Sequence, residues 1–300
     1  MTTTELAPLP GTTSAGPPVI SLRGLRKSYA GRVVLAGLDL DVHRGECFAL
    51  LGPNGAGKTT AIEVLEGVRR RDAGEVLVLG EDPGVAGRAW RARLGVVAQG
   101  EGAGQALSVR ETLDHFAHYT ATPLPTDELL AAVGLAEKAD TRVERLSGGQ
   151  RRRLAVALGV QGNPELVFLD EPTTGMDPVA RRQFWQLVRD LRDGGTTLLL
   201  TTHYLDEAAE LADRVGVLAE GRLVEVAPPG ELGAELRRTA TVSWLEDGRR
   251  REVRTESPAA VLRDLLAATP HAEVPGLTVT RPGLEDVYLS LVGATAGGEL

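Results

Sequence analysis

Gly52-Pro53-Asn54-Gly55-Ala56-Gly57-Lys58-Thr59-Thr60 fits the pattern G-x-x-x-x-G-K-[ST] and decides how this 300-residue chain is read. Before it, Cys47-Phe48-Ala49-Leu50-Leu51 is a short apolar run suited to a buried parallel strand. After it, Ala61-Ile62-Glu63-Val64-Leu65 continues as a helix. Strand, loop and helix are the context in which this pattern cradles phosphate. The glycines permit a tight turn whose N–H groups converge on phosphate oxygens, and the helix adds the positive end of its dipole. Lys58 is then placed to reach the β and γ phosphates of a nucleoside triphosphate, and the Thr59 hydroxyl to ligate Mg²⁺. Only Lys27, Lys58 and Lys138 are lysines among 33 basic residues. A chain so given to arginine keeps a lysine where a slim point charge is needed.

Length allows one large or two ordinary domains with a sizeable core. The net charge of −8 gives no general attraction to nucleic acid or to an anionic membrane surface. Cys47, the single cysteine, lies inside the apolar run and reads as a small core residue, so no disulfide framework exists and a reducing cytoplasm is expected. No apolar run approaches a membrane-spanning length and the first residues lack the features of a secretory signal. The chain is therefore expected not to cross a membrane by itself. Residues 1–18 are rich in Thr, Pro and Gly and are expected to form a disordered tail.

From residue 19 onward, 19–22, 33–35 and 38–42 predict antiparallel strands with turns at Ala30-Gly31 and Arg44-Gly45. Tyr29 stands between them, and from its position alone it is either packing or a platform on which an adenine ring stacks. Strand-like runs follow at 75–79 and 94–97, the second leading to Gln99 and a glycine-rich stretch up to Ala106. Helical periodicity then takes over at 109–119, 126–133 and 148–162, a block of about 100–162 that reads as a helical subdomain inserted into a nucleotide-binding sheet. His115 and His118 share one helix but lack a third ligand, so no metal site is assigned to them.

At Leu166-Val167-Phe168-Leu169-Asp170-Glu171 an apolar strand ends in two carboxylates. In phosphate-loop ATPases the first holds Mg²⁺ and the second orients or deprotonates the attacking water; a helix cap or turn is the plainer reading of two such acids. Strand C-termini are where ligands collect in a parallel sheet, which favours the catalytic reading. A helix at 178–192, a strand at 197–201 and His203 at its end complete the block. A lone histidine is usually structural, yet this one ends a strand expected beside the carboxylate strand.

Leu146-Ser147-Gly148-Gly149-Gln150 makes the reading specific: residues 19–230 resemble the ATP-binding subunits of ABC transporters. In that resemblance Tyr29 takes the adenine-stacking position, Gly52, Pro53, Asn54, Gly55, Ala56, Gly57, Lys58, Thr59 and Thr60 the Walker A loop, and Gln99 the Q-loop. Leu146 to Gln150 takes the signature, Asp170 ends the Walker B strand, and Glu171 is the catalytic glutamate. Gly175-Met176-Asp177 is the D-loop and His203 the switch histidine. The fold implied is α/β, a P-loop NTPase sheet with an antiparallel β subdomain and an inserted α-helical subdomain, plus a small C-terminal α+β domain. The resemblance implies ATP and Mg²⁺ as cofactors, with Thr59, Gln99 and Asp170 around the metal. It also implies a head-to-tail homodimer, or a pair with a related subunit, in which Ser147, Gly148, Gly149 and Gln150 of one copy face the γ phosphate held by the other.

The C-terminal part reads as a hairpin (240–245 and 251–254), a helix at 259–268, a strand at 277–279 and the ending Leu284-Glu285-Asp286-Val287-Tyr288-Leu289. That ending is similar to the ABC-2 group of drug-resistance-type exporters. It implies an ATPase on the inner face of the cell membrane, bound to a separately encoded ABC-2-type permease that exports a drug, antibiotic or other hydrophobic compound. An importer ATPase is the alternative, with a non-transport ABC ATPase behind it. The latter would carry two cassettes and a basic linker, or a long coiled coil for which Lys58 to Asp170 leaves no room. Residues 100–105 depart from the family, where bulkier side chains often stand. Residues 239–292 are expected to be a separate accessory domain, such that a cut after Leu236 leaves a folded core.

Overall fold

The apolar run before the phosphate loop is a strand, Cys47–Leu51, with every side chain buried. Its pleat feeds two cores: Cys47, Ala49 and Leu51 join one hydrophobic cluster, Phe48 and Leu50 the other. The strands Leu166–Asp170 and Thr197–Thr202 divide the same way, with Val167, Leu169, Leu198 and Leu200 on one side and Leu166, Phe168 and Leu199 on the other. Continuous apolar runs are what a parallel sheet covered on both faces requires.

The computed structural model describes residues 16–97, 106–246, 248–268 and 274–296. Within these the chain runs β1 (Ile20–Tyr29), β2 (Arg32–Val42), β3 (Cys47–Leu51), α1 (Lys58–Leu65), β4 (Ala73–Val78), α2 (Arg88–Arg91) and β5 (Leu94–Val97). The helices α3 (Val109–Ala117), α4 (Thr126–Ala132) and α5 (Gly148–Val160) follow, then β6 (Leu166–Asp170), α6 (Pro178–Asp193), β7 (Thr197–Thr202), α7 (Leu205–Leu211), β8 (Arg214–Ala219) and β9 (Arg222–Ala227). The remainder is α8 (Ala234–Arg238), β10 (Ala240–Glu246), β11 (Arg249–Thr255), α9 (Pro258–Ala268), β12 (Thr278–Thr280) and α10 (Leu284–Ala296). Gln99 and the glycine-rich residues 100–105 lie outside the described residues, as does the tail up to residue 15.

The main sheet has the order β5-β6-β7-β3-β8-β9, parallel except for the β8-β9 hairpin. One strand, β7, therefore separates the phosphate-loop strand from the carboxylate strand, and all three end on the same edge. A second, antiparallel sheet β2-β1-β4 packs with α1 over one face. Sequence had divided β2 at Gly37; the structure runs it through as one strand that absorbs the irregularity in shifted register against β1. The helices α3, α4 and α5 cover the other face at the β5 end.

A third small sheet, β11-β10-β12, forms the C-terminal part with α9 against β10. The final helix does not stay with it. Val287 of α10 is fully buried in the cluster that includes Val215 and Val217 of β8, joined by Leu284, Tyr288 and Leu291. Gly233 admits it: at φ 64°, a Cβ there would stand 2.1 Å from Val287 Cγ1. Cutting after Leu236 thus removes part of the main core, and the truncated chain is expected to lose stability. Val287→Ala tests the contact at smaller cost, lowering unfolding free energy by about 1–3 kcal/mol in a denaturant titration. A truncated chain as stable as its parent would show that α10 is dispensable to the core.

Candidate functional site

Gly57 caps the start of α1 in the left-handed region, at φ 107°. A Cβ there would meet Leu35 Cδ2 at 2.8 Å and the Val34 carbonyl at 2.9 Å, so the backbone conformation and the crowding both demand glycine. Lys58, the next residue, is only 4% exposed. An ammonium so deep must be partnered. Its Nζ donates to the carbonyls of Gly52 (2.9 Å) and Pro53 (3.2 Å) and pairs with Glu171 Oε1 at 3.1 Å.

The two carboxylates sit at the end of β6. Asp170 Oδ1 accepts from Thr201 Oγ1 at 2.5 Å and from Thr59 Oγ1 at 3.5 Å. Glu171 leaves the strand at φ 43°, a left-handed conformation that is strained for any residue but glycine. What holds it there is again Thr201, whose carbonyl and hydroxyl both accept the Glu171 N–H at 3.1 Å. Thr201 pairs in register with Asp170 across β6 and β7, so one residue fixes both acids. Sequence reading passed over it as part of an apolar strand. His203 Nδ1 lies 3.3 Å from Glu171 Oε2. Burial pushes the Glu171 carboxyl up, but the hydrogen bond and charge of Lys58, aided by His203, outweigh it and hold the group below the usual glutamate range. Its ionised form is the favoured one.

Arg152 of α5 is another residue that sequence reading missed. Its Nη2 donates to the Asp170 carbonyl at 2.7 Å and its Nε to that of Pro172 at 2.9 Å. The helix that follows the signature is thereby tied to the carboxylate strand. Its only sequence signal is a place in the run Arg151-Arg152-Arg153 after Gln150.

Two predicted parts of the site stand apart from this cluster. Tyr29 ends β1, the residue 37% exposed, with Lys27 Nζ 5.4 Å and Arg69 Cζ 5.2 Å from its ring centroid. Ser147, Gly148, Gly149 and Gln150 open α5 in a reciprocal cap, Ser147 Oγ accepting from the Gln150 N–H (3.3 Å) and Gln150 Oε1 from the Ser147 N–H (2.9 Å). Ser147 and Gly148 are exposed, and a Cβ on Gly148 would meet nothing within 4 Å. None of the described partners of Lys58, Thr59, Asp170, Glu171 or His203 belongs to this turn. Gln99, the remaining predicted residue, lies outside the described residues.

Residues 35–174 match the ABC transporter family model. Over 96% of the chain, and 98% of the relative, the sequence is 40% identical to Nod factor export ATP-binding protein I of Ralstonia nicotianae. The chain belongs to the ABC transporter family. It is one of the ATP-binding, ATP-hydrolysing subunits of that family. A daunorubicin resistance ATP-binding protein of Streptomyces coeruleorubidus is 39% identical over 91% of the chain and 96% of its own length. Among solved structures, CbiO1 of Clostridium perfringens, part of the ABC transporter complex CbiONQ, superposes with a TM-score of 0.65 at 28% identity, covering 73% of this chain and 92% of that one. The ABC fold is also shared with a dimeric ATP-binding cassette bound to ADP and Pi, at a TM-score of 0.63 and 22% identity over 70% of this chain and 98% of that one.

Proposed function

We propose that this ABC subunit hydrolyses Mg-ATP to drive a separate ABC-2-type permease that exports a drug, antibiotic or other hydrophobic compound. The observation that carries the chemistry is the convergence of Lys58, Glu171 and His203 above the phosphate loop, with Asp170 and Thr59 beside them. Export is supported by the relatives, one named for Nod factor export and one for daunorubicin resistance.

The loop from Gly52 to Thr60 holds the phosphates, with Lys58 on the β and γ oxygens. Thr59 and Asp170 suit Mg²⁺: both offer hard oxygen, and their side chains meet at 3.5 Å. Gln99 is assigned as a third ligand. Bound there, Mg²⁺ would neutralise charge on the phosphates. Glu171, ionised and held at a fixed backbone angle, takes a proton from the attacking water, and His203 donates to the γ phosphate. Tyr29 stacks on adenine. Ser147, Gly148, Gly149 and Gln150 of a second copy close the far side of the γ phosphate, which accounts for Ser147 and Gly148 lying exposed.

No helix among the described residues is long and apolar enough to cross a membrane. We place the subunit in the cytoplasm, held on the inner membrane face by the permease. Nucleic acid has no part in this reading, and residues 239–292 act as an accessory unit whose last helix, α10, packs into the nucleotide-binding core at 19–230. Cells expressing the chain with its co-purifying permease should accumulate less of a fluorescent hydrophobic drug than cells with the Lys58→Ala form. ATP-driven uptake instead would make the subunit an importer ATPase. For the base platform, Tyr29→Ala is expected to weaken ATP binding by about 1–3 kcal/mol and Tyr29→Trp to spare it. Nucleotide titration measures both, and an alanine variant that binds like the parent reduces Tyr29 to packing.

A further inference from the structure

Behind the turn that carries His203 lies a group of buried polar atoms that the mechanism above does not use. Glu207, in the first turn of α7, is 0% exposed, and neither of its carboxyl oxygens has a hydrogen-bond partner. Thr173 Oγ1, Arg181 Nε and Trp185 Nε1 are buried without partners as well. These are neighbours of one another: Thr202, Thr173 and Trp185 turn hydrogen-bonding groups toward the Glu207 carboxyl, and Arg181 adds its charge. The set is complementary: the two Glu207 oxygens face the Thr202 and Thr173 hydroxyls and the Trp185 and Arg181 N–H groups. Buried groups matched in this way are joined directly or through a buried water.

The partners come from two segments that flank the carboxylate and histidine pair. Thr202, the last residue of β7, accepts the Tyr204 N–H on its hydroxyl at 2.9 Å and so shapes the turn holding His203. Thr173 follows Glu171 and Pro172, and its carbonyl accepts the Met176 N–H at 3.1 Å. The next residue, Asp177, caps α6 through the N–H groups of Val179 and Ala180, and α6 carries Arg181 and Trp185. Arg181 also lies over the Tyr204 ring, 4.6 Å from its centroid. A leucine would fill the space of Glu207 without desolvating a carboxyl. Packing alone does not explain an acid here.

We propose that Glu207 is a positioning residue for the γ-phosphate site: its buried carboxyl, set among the Thr202, Thr173, Trp185 and Arg181 side chains, joins the turn carrying His203 to the Thr173 and α6 side, and so fixes His203 against Glu171. The proposal rests on the ATPase reading. It makes Glu207 act through His203, with no contact to nucleotide.

The test compares Glu207→Leu with Glu207→Gln in the full chain, by steady-state Mg-ATP hydrolysis and nucleotide titration. The leucine variant is expected to lose kcat by roughly 10-fold or more while ATP affinity stays near the parent value, because misplacement rather than binding is at stake. Glutamine keeps donor and acceptor capacity and is expected to restore most of that loss. A folded leucine variant with the parent's kcat overturns the proposal, as does an equal loss in both variants or a loss confined to KM. Trp185→Phe removes one donor from the same group and covers the case of a leucine variant that does not fold. It should lower kcat severalfold in the parent and by a similar factor in the Glu207→Gln background, where the group is kept, and a folded Trp185→Phe variant with the parent's kcat would overturn the proposal. A parent chain that does not hydrolyse Mg-ATP would bring down the ATPase reading instead, which keeps the two failures apart.

Discussion

Glu171→Gln is expected to keep ATP bound while slowing its hydrolysis by at least about 10²-fold, the usual contribution of a positioned general base. The amide fills the same space at the left-handed position that Thr201 holds, so the loop and its backbone donors stay in place. What disappears is a carboxylate that Lys58 and His203 keep ionised at 3.1 and 3.3 Å. Lys58→Ala should fail differently. It removes the one ammonium at the phosphate loop and should weaken ATP binding and abolish turnover together. Measuring phosphate release beside nucleotide affinity separates the two, and near-normal turnover in Glu171→Gln would remove that residue from the base role.

Where side chains are buried on both faces, the sequence announced the strand. Cys47–Leu51 and Leu166–Asp170 are apolar nearly throughout and Thr197–Thr202 centres on three leucines, because helices and a second sheet cover them, and such runs need no partner to be recognised. The phosphate loop was legible for a local reason too, since its glycines, lysine and threonine act within one turn. The cap at Ser147 and Gln150 also follows from spacing alone.

What stayed hidden is non-local. Thr201 looks like any threonine in a strand until the β6-β7 register sets it opposite Asp170. Glu171 gives no hint of its backbone angle, because the strain is imposed by that same neighbour. Arg152 is one arginine in a row of three, and only the approach of α5 to the end of β6 singles it out. The return of α10 depends on Gly233 and Val287, far apart in sequence and unremarkable alone, so the C-terminal part read as more separate than its last helix is. Glu207 belongs with these, its meaning lying in what surrounds it.

Two inactive variants are expected to regain activity when mixed, and this is the sharpest consequence of shared ATP sites. Within one chain the phosphate loop, Asp170, Glu171 and His203 gather on one side, while the signature turn at Ser147 is exposed and bonded to itself. In the proposed head-to-tail pair a second copy would bring its Ser147 and the Gly148-Gly149 N–H groups to the open side of the γ phosphate, where a helix N-terminus favours anionic charge. Lys58→Ala destroys the loop half of a site and Ser147→Arg the signature half, so each homodimer has two broken sites. Their heterodimer has one site with both halves damaged and one with both intact. Random pairing makes half of all dimers mixed, so recovery of up to about a quarter of parental turnover is expected if each site fires alone. Ser147→Arg also gives up a helix cap, worth about 1 kcal/mol, so its fold and its ATP binding are checked first. Parental dimerisation should itself require nucleotide: Glu171→Gln with Mg-ATP is expected to elute as a dimer, and the nucleotide-free chain without permease as a monomer. If the mixture stays inactive where heterodimers demonstrably form, the sites are either unshared or too tightly coupled for one to turn over alone. A crosslink reporting Ser147 against the loop of the opposite copy then decides between those two.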